Sequence, residues 1–227
     1  MTPDATPLRR FAAVIFDMDG LLIDSEVTAR DTFLQSCQAF AIEAEVGLFL
    51  RCIGTNDAGT LAVLRQELEG RDDLDLFYAD WRERYDAATA MPIPLKGGVV
   101  ELLDHLGQAR VPTGVATSSS NAGARKKLGL AGILDAFAVI VGGDQVTSGK
   151  PDPEIYLQAA ADLKAEASAC LALEDSENGV RAAVAAGMTV VQVPDLVPPS
   201  DGLRALGHHV VDSLLDVMTV DFDQIGS

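Results

Sequence analysis

The chain has 227 residues, which is enough for one large domain or for a core domain with a smaller second one. Hydrophobic residues make up 48% of the chain, so disorder over its whole length is excluded. The formal net charge is −17, which argues against a nucleic-acid binder and against docking on anionic membranes. This field would also repel an anionic substrate, whose site would therefore need local cations.

Cysteine usage and the polar amino terminus predict a cytoplasmic protein. Cys37, Cys52 and Cys170 form no CxxC pair, so we expect buried, reduced side chains rather than disulfides or a thiolate zinc site. The first residues, MTPDATPLRR, lack the apolar stretch of a signal peptide. The sequence also contains no apolar run long enough for a transmembrane helix.

Short apolar runs recur along the chain and predict buried strands. They are rich in β-branched residues and do not alternate with polar ones, which is typical of strands covered on both faces. The runs span residues 12–16, 111–116, 138–141, 170–173 and 189–193, with a weaker one at 209–211.

Helical patterns separate these runs from about residue 95 onward. One apolar stripe contains Val99, Leu102, Leu103 and Leu106, and another contains Ile155, Ala159, Ala160 and Leu163. Asp152-Pro153-Glu154 predicts a helix start, with a capping carboxylate and proline at the first helical position. Alternating strands and helices imply a parallel sheet with right-handed crossovers. We therefore predict an α/β fold with a doubly wound, Rossmann-like core.

Residues 27–92 break this alternation and predict helices alone. Their apolar stripes are Phe33, Leu34, Cys37 and Phe40; Leu61, Leu64 and Leu68; and Leu74, Phe77, Trp81 and Tyr85. We predict an inserted all-helical cap domain at 27–92 and an α/β core domain formed by 1–26 and 93–227. Pro92 and Pro94 mark the return to the core. The paired crossings, near 22–26 and 91–95, are a predicted hinge.

Polar residues follow the predicted strands at the points where these end. They are Asp17, Asp19, Thr117, Ser118, Ser119, Lys150, Glu174 and Asp175. Because ligands bind beyond the carboxyl ends of the strands in an open parallel sheet, we expect these side chains to meet. The converging carboxylates would repel one another, and a hard cation such as magnesium, which commonly also binds substrate phosphate, relieves this repulsion.

These residue types suit phosphoryl transfer. Lys150 and the hydroxyl of Thr117 or Ser118 can donate to a phosphate. A carboxylate can attack phosphorus to give an aspartyl-phosphate, and a second carboxylate two residues on can serve as general acid and then as base. Each motif alone is commonly a solvated turn, a cap or a surface lysine, so the prediction depends on their joint occurrence at successive strand ends.

Four motifs at these positions resemble those of the haloacid dehalogenase (HAD) superfamily, in its capped phosphatase and phosphomutase branch that includes β-phosphoglucomutase. They are FDMDG, VATSS, SGKPDPEIY and LEDSENGV, and the resemblance covers nearly the whole chain. It implies that Asp17 is the nucleophile and Asp19 the general acid and base. It also implies a magnesium site formed by Glu174, Asp175, the Asp17 carboxylate and the Asp19 backbone carbonyl.

The resemblance further implies a phosphate site. Thr117 would contact the phosphate, and Lys150 would bridge the nucleophile and the phosphate. Gly20, Ser118 and Ser119 are further candidates for this site. The helical insertion after FDMDG corresponds to the family's cap.

Hydrolysis is the reaction that we predict. Dehalogenases of the family lack the second aspartate, because they have no leaving oxygen to protonate, so Asp19 argues against that activity. Mutases similar to β-phosphoglucomutase carry a cap histidine and an arginine in a GxSR pattern, whereas Ala29 and Asp57 take those positions here. The mutase reaction stays an alternative. The expected substrate is a small phosphorylated metabolite such as a sugar or polyol phosphate, and we expect a monomer, with a dimer left open.

Two other classes of protein fit the sequence less well. Response-regulator receiver domains combine clustered aspartates with a Thr or Ser and a Lys, but their acid pair is adjacent and they have no cap. A non-catalytic binding module would predict the loss of some strand-end residues, and all of them are present here.

Three further groups of residues lie outside these motifs. The run Arg125-Lys126-Lys127 predicts a solvated helix face, with recruitment of phosphate as the alternative. Asp24 and Glu26 are expected to be structural hinge or gate residues at the cap entrance, and Arg51, Thr55 and Asn56 are candidate specificity contacts.

Overall fold

The computed structural model describes residues 7–43, 46–91 and 93–222. The parts of the predicted domains at 1–6, 44–45 and 223–227, and the predicted boundary residue Pro92, lie outside these ranges. Within the described ranges, no helix combines the length and apolar character that crossing a bilayer requires.

Among the described residues, the centre of the fold is a six-stranded sheet in the order β3–β2–β1–β4–β5–β6, in which every pairing is parallel. The strands are β1 Ala13–Phe16, β2 Thr113–Thr117, β3 Val139–Gly142, β4 Cys170–Glu174, β5 Thr189–Gln192 and β6 His209–Val210. Each predicted run overlaps one of these strands, with ends that differ by at most two residues. The predicted doubly wound α/β class is therefore confirmed.

Helices cover both faces of this sheet. They are α5 Val99–Ala109, α6 Asn121–Leu130, α7 Glu154–Asp162, α8 Glu177–Ala185, α9 Asp201–Arg204 and α10 Leu214–Val217. Alternate residues of β1 enter two different apolar clusters: Val14 packs with α5, α6 and α10, whereas Ile15 packs with α7, α8 and α9. This burial on both faces explains why the strands are continuous apolar runs.

Helix α7 begins one residue later than its start signal predicts. Pro153 is the residue before the helix, and Glu154 is the first helical residue. Asp152 still supplies an acceptor, because its Oδ1 receives the Glu154 N–H at 3.0 Å. Proline fits at this boundary since it has no N–H to leave unpaired.

The described part of the inserted segment forms four helices with a core of their own. They are α1 Glu26–Ala39, α2 Val46–Cys52, α3 Asp57–Glu67 and α4 Leu74–Ala88. Phe33 is the centre of this core, with ring centroids 4.9 Å from Trp81 and 5.7 Å from Phe77. The apolar stripes did not predict α2 as a separate helix. A separate apolar core supports the division into cap and α/β core domains, which remains a proposal.

Candidate active site

The strand ends bring the predicted residues to one edge of the sheet. Asp17 directly follows β1, and its N–H continues the ladder by donating to Leu173 of β4 at 2.9 Å. Thr117 and Glu174 are the last residues of β2 and β4. Their side chains and those of Asp17, Lys150 and Asp175 are buried. The geometry follows from the parallel order, in which neighbouring strands end on the same side.

Lys150 joins two of these acids. Its Nζ lies 2.5 Å from Asp17 Oδ1 and 2.5 Å from Glu174 Oε1. Burial opposes the charge on the lysine, but the two carboxylates raise the pKa of Lys150 above its usual value. Glu174 is further fixed by the Tyr156 hydroxyl at 2.7 Å and by the Ser176 hydroxyl at 3.1 Å. Lys150 is therefore a charged, immobilised donor between two strand ends.

Asp17, Glu174 and Asp175 form a group that could hold a metal ion, since their carboxylate oxygens lie within 4.8 Å of one another. Burial raises the pKa of Asp17 to about 7 despite the neighbouring Lys150. Burial, followed by the charges of Asp17 and Glu174, raises the pKa of Asp175 well above its ordinary value. One lysine does not balance three buried carboxylates, so their geometry and charge fit a divalent cation with oxygen ligands.

Gly20 leaves room for this acidic group. It has φ +88°, and a Cβ built on it would overlap the carboxylate of Asp175. A side chain at this position would therefore meet both backbone strain and a collision. The Gly20 N–H donates to the Ile23 carbonyl at 3.0 Å within the turn. Its expected phosphate contact stays a prediction.

The hydroxyl residues after β2 have different partners. Thr117 lines the cavity beside Asp17, and its Oγ1 accepts the Ser119 N–H at 3.1 Å. Ser118 donates to the Gly54 carbonyl at 3.1 Å and so connects the sheet edge to the inserted helices. Ser119 donates to Asp19 Oδ2 at 2.8 Å. Their phosphate-binding roles stay predictions.

Asp19 is held by donors from three parts of the fold. Its Oδ1 accepts the Ser25 hydroxyl at 2.7 Å and the Lys127 ammonium at 2.9 Å, while Ser119 bonds to Oδ2. The Tyr85 hydroxyl of α4 lies 3.5 Å from the same Oδ1. Burial acts to raise the pKa of Asp19, but Lys127 and the hydrogen bonds lower it overall.

The expectation of a solvated face for the run at 125–127 is wrong for Lys127, which is buried, although it holds for the exposed Arg125 and Lys126. Lys127 lies three residues after Ala124 and directly before Leu128, both of which are fully buried. The helical period of α6 therefore turns it inward. This spacing was the sequence signal that could have identified it.

A cavity of about 120 Å³ lies between the strand ends and the inserted helices. The aromatic residues Phe49, Tyr78 and Trp81 line it, together with Asp57 and Arg82. Tyr78 donates to Asp57 at 2.8 Å, and Arg82 lies 3.7 Å from the same carboxylate. This volume is well below the several hundred cubic ångströms of a site for a drug-sized ligand, which favours a small substrate.

Glu26 also lines this cavity and is buried at the start of α1. Burial and then the neighbouring charges of Asp19 and Asp195 raise its pKa to about 8. Asp24 lies 3.6 Å from Lys96, which also pairs with Asp195 at 2.6 Å. Their expected hinge or gate roles stay predictions.

The candidate specificity residues do not share one position. Thr55 lines the cavity. Asn56 caps α3 by accepting the Gly59 N–H at 2.9 Å, and Arg51 forms an exposed ion pair with Glu67 at 2.9 Å. Of these predicted contacts, Thr55 is therefore the best placed to meet a substrate.

A family model described as haloacid dehalogenase-like hydrolase matches residues 14–193. The phosphorylated carbohydrates phosphatase of Thermotoga maritima is 33% identical over 78% of this chain and 82% of its own length. The fructose-1-phosphate phosphatase YqaB of Escherichia coli is 30% identical over 81% of this chain and 97% of its own. A bifunctional riboflavin kinase/FMN phosphatase of Arabidopsis thaliana is 33% identical over 91% of this chain. The chain spans only 54% of the length of that relative.

The β-phosphoglucomutase of Clostridium difficile shares the fold, with a TM-score of 0.77, 21% identity and coverage of 94% of both chains. The matched range of this chain includes all of the strand-end residues described above, from Asp17 to Asp175. The chain belongs to the haloacid dehalogenase-like hydrolases, as an enzyme of their phosphatase and phosphomutase branch.

Proposed function

We propose that this phosphoric monoester hydrolase is a magnesium-dependent phosphatase, that its substrate is a sugar or polyol phosphate, and that it acts through an aspartyl-phosphate on Asp17. The observation that carries the proposal is the buried Asp17–Lys150–Glu174 arrangement at the strand ends, with Asp19 beside it. It combines a fixed carboxylate nucleophile, a cation for the phosphoryl oxygens and a second carboxyl group that can exchange a proton.

Asp17, Glu174, Asp175 and the backbone carbonyl of Asp19 would hold the magnesium ion. When bound, the ion supplies positive charge against the phosphate and the buried carboxylates. Lys150 supplies a further positive charge from within the chain, already fixed between Asp17 and Glu174.

In the first step, an Asp17 carboxylate oxygen attacks phosphorus, and the bond from phosphorus to the ester oxygen breaks. Asp19, in its protonated form, gives its proton to the departing oxygen, which leaves as an alcohol. Lys150 and Thr117 donate to the phosphoryl oxygens and offset their charge in the transition state. Ser118 and Ser119 border the same space.

In the second step, the Asp19 carboxylate takes a proton from water as the water oxygen attacks phosphorus. The bond from phosphorus to Asp17 breaks, which releases inorganic phosphate and restores both carboxyl groups. The inserted helices limit the access of bulk water to this space, and a change in their position would admit substrate and release product.

The identity of the substrate class is supported by the cavity and by the relatives. The relatives named above include phosphatases of phosphorylated carbohydrates and of fructose 1-phosphate. Trp81 offers an apolar face for a sugar carbon skeleton, and Asp57 and Thr55 offer acceptors for hydroxyl groups. A small phosphorylated sugar or polyol suits both kinds of surface.

The mutase reaction is the second candidate, because a β-phosphoglucomutase shares the fold. Ala29 and Asp57 both line the cavity, at the positions where the sequence comparison expects a histidine and an arginine. An aspartate there would repel the second phosphate of a sugar bisphosphate rather than bind it. The negative charge of Asp57 therefore favours hydrolysis over the mutase reaction.

Phosphate release from a panel of sugar and polyol phosphates, with magnesium present, tests the proposal. We expect turnover of at least one member of the panel. An arm with β-glucose 1-phosphate and a bisphosphate activator measures glucose 6-phosphate formation. Isomerisation without phosphate release would instead support the mutase, and absence of turnover throughout the panel would contradict the proposed substrate class.

A further inference from the structure

Lys127 is a buried cation outside the four sequence motifs. Its Nζ donates to Asp19 Oδ1 at 2.9 Å and to the Tyr85 hydroxyl at 2.9 Å, and it lies 3.4 Å from the Ser119 hydroxyl. Its side chain is only 8% exposed. It thus connects α6 of the α/β layers, Asp19 after β1 and helix α4 of the insertion. The ordinary position for a lysine is the solvated surface, so this burial needs an explanation.

The two carboxylate oxygens of Asp19 accept hydrogen bonds from different donors. Oδ1 accepts from Ser25 and from Lys127, which uses both of its lone-pair directions. Oδ2 accepts one hydrogen bond, from Ser119, among the described contacts. Oδ2 therefore keeps the capacity to carry and exchange a proton. Without Lys127, only hydroxyl donors among the described residues would hold the carboxyl group, namely Ser25 and the more distant Tyr85 on Oδ1 and Ser119 on Oδ2. The group could then turn about its Cβ–Cγ bond away from this orientation.

We propose that Lys127 is a positioning residue for Asp19, and that its contact with Tyr85 makes this position depend on the packing of α4 over the site. The inference rests on the proposed acid and base role of Asp19. In that role Asp19 Oδ2 gives its proton to the ester oxygen as the bond from phosphorus to oxygen breaks, and later takes a proton from the attacking water. Lys127 itself exchanges no proton and forms no bond to substrate.

A substrate whose leaving group needs no proton distinguishes misplacement of Asp19 from a general loss of structure. An alkyl phosphate requires protonation of its departing oxygen, whereas 4-nitrophenyl phosphate releases a stable phenolate. Misplacement of Asp19 should therefore slow phosphoryl transfer from the alkyl ester much more than from the aryl ester. The second step is the same for both esters, so the comparison uses kcat/KM, which reports the steps up to departure of the leaving group. A general loss of structure would slow both substrates alike.

The experiment compares Lys127→Met and Lys127→Arg with the wild type on both esters. Lys126→Met is the matched control, because Lys126 is exposed on the same helix and its loss changes the net charge equally. For Lys127→Met we expect a loss of about 100-fold in kcat/KM on the alkyl phosphate, the size of effect that small misplacements of catalytic groups cause. The kcat/KM on the aryl phosphate should be nearly unaffected, and Lys127→Arg should recover part of the loss.

Tyr85→Phe provides a second variant in case Lys127→Met does not fold, which thermal unfolding would reveal. Removal of the Tyr85 hydroxyl should give the same leaving-group selectivity with a smaller loss. Equal losses on both esters, or wild-type rates for the folded Lys127 and Tyr85 variants, would overturn the inference.

An Asp19→Asn variant distinguishes failure of the positioning role from failure of the proposed function. Selective loss of kcat/KM on the alkyl ester in Asp19→Asn, together with wild-type behaviour of Lys127→Met, would contradict the positioning role alone. Absence of phosphatase activity in the wild type would contradict the proposed function, and the positioning role would fall with it.

Discussion

The ammonium of Lys150 lies 2.5 Å from Oδ1 of Asp17. Its second partner is Oε1 of Glu174, also at 2.5 Å. The three residues come from different parts of the chain, and the parallel sheet brings them together because β1 and β4 are neighbours. In our account this cation holds the nucleophile in place before the substrate binds and then neutralises the charge of the transferred phosphoryl group.

Replacement of Asp17 by Asn should abolish turnover, because an amide oxygen is a far weaker nucleophile than a carboxylate. We expect kcat to fall by a factor of about a thousand or more, as for other nucleophile replacements. Steady-state phosphate release on the best substrate measures this effect. Asp104→Asn is the matched control, since Asp104 is an exposed aspartate on α5.

Thermal unfolding must show that Asp17→Asn keeps its fold. Burial raises the pKa of Asp17, so the ionised side chain destabilises the metal-free protein and its neutral replacement should not lower the melting temperature at neutral pH. A folded Asp17→Asn variant with wild-type activity would exclude Asp17 as the nucleophile.

Removal of divalent metal should eliminate activity, and addition of magnesium should restore it. Magnesium should also raise the melting temperature, by several degrees and more strongly as pH rises from about 5 to about 8. The sign follows from Asp17, whose pKa is raised from 3.8 to about 7 by burial. At pH values above its pKa in the unfolded chain, Asp17 lowers the stability of the metal-free fold. Its ionisation over the same pH range also allows it to bind the cation.

Calorimetric scans with and without magnesium at several pH values test this dependence. Calcium chloride at the same ionic strength would show whether the effect needs the smaller ion. Undiminished turnover after thorough chelation, or the same stabilisation by magnesium at low and high pH, would contradict the assignment of the buried acids as ligands.

Glu26→Gln should stabilise the fold at neutral and alkaline pH. Burial raises the pKa of Glu26 from 4.5 to about 8, so the wild type loses stability as pH rises through this window and the glutamine variant does not. At about 1.4 kcal/mol for each pKa unit, the gain is a few kcal/mol at most. The difference in unfolding free energy should vanish at pH values below the ordinary pKa of glutamate.

Chemical denaturation of Glu26→Gln and the wild type at matched pH values measures this gain. Glu101→Gln, at an exposed position of α5, is the control for loss of one negative charge. A gain that did not depend on pH would show that the charge of Glu26 is not the cause.

The strand positions could be predicted because burial on both faces leaves a continuous apolar run, as β1 shows. The strand-end residues could be predicted to meet because parallel strands end on one side of a sheet. The motif resemblance added roles for Asp17 and Lys150 that residue spacing alone does not give. None of these inferences needed the packing of distant side chains.

The burial of Lys127 could not be predicted from the composition of the residues around it. Lys126 and Lys127 have the same composition around them, and only the helical phase relative to Ala124 and Leu128 separates them. The partners of Lys127, Asp19 and Tyr85, lie 108 and 42 residues away in the sequence. Such pairings depend on how α4 packs over the sheet edge.

The phosphorylation of Asp17 is the central claim, and a pre-steady-state burst experiment on Asp19→Asn, with substrate in excess, tests it most directly. With 4-nitrophenyl phosphate this variant should still transfer the phosphoryl group, because the phenolate leaves without a proton, but should hydrolyse the product slowly without its base. We predict a burst of about one nitrophenolate for each protein molecule. Borohydride should reduce the acyl phosphate at Asp17 to homoserine with release of phosphate, and peptide mapping should locate this homoserine at position 17. A phosphoryl group on any other residue, or a burst in Asp17→Asn, would contradict the account.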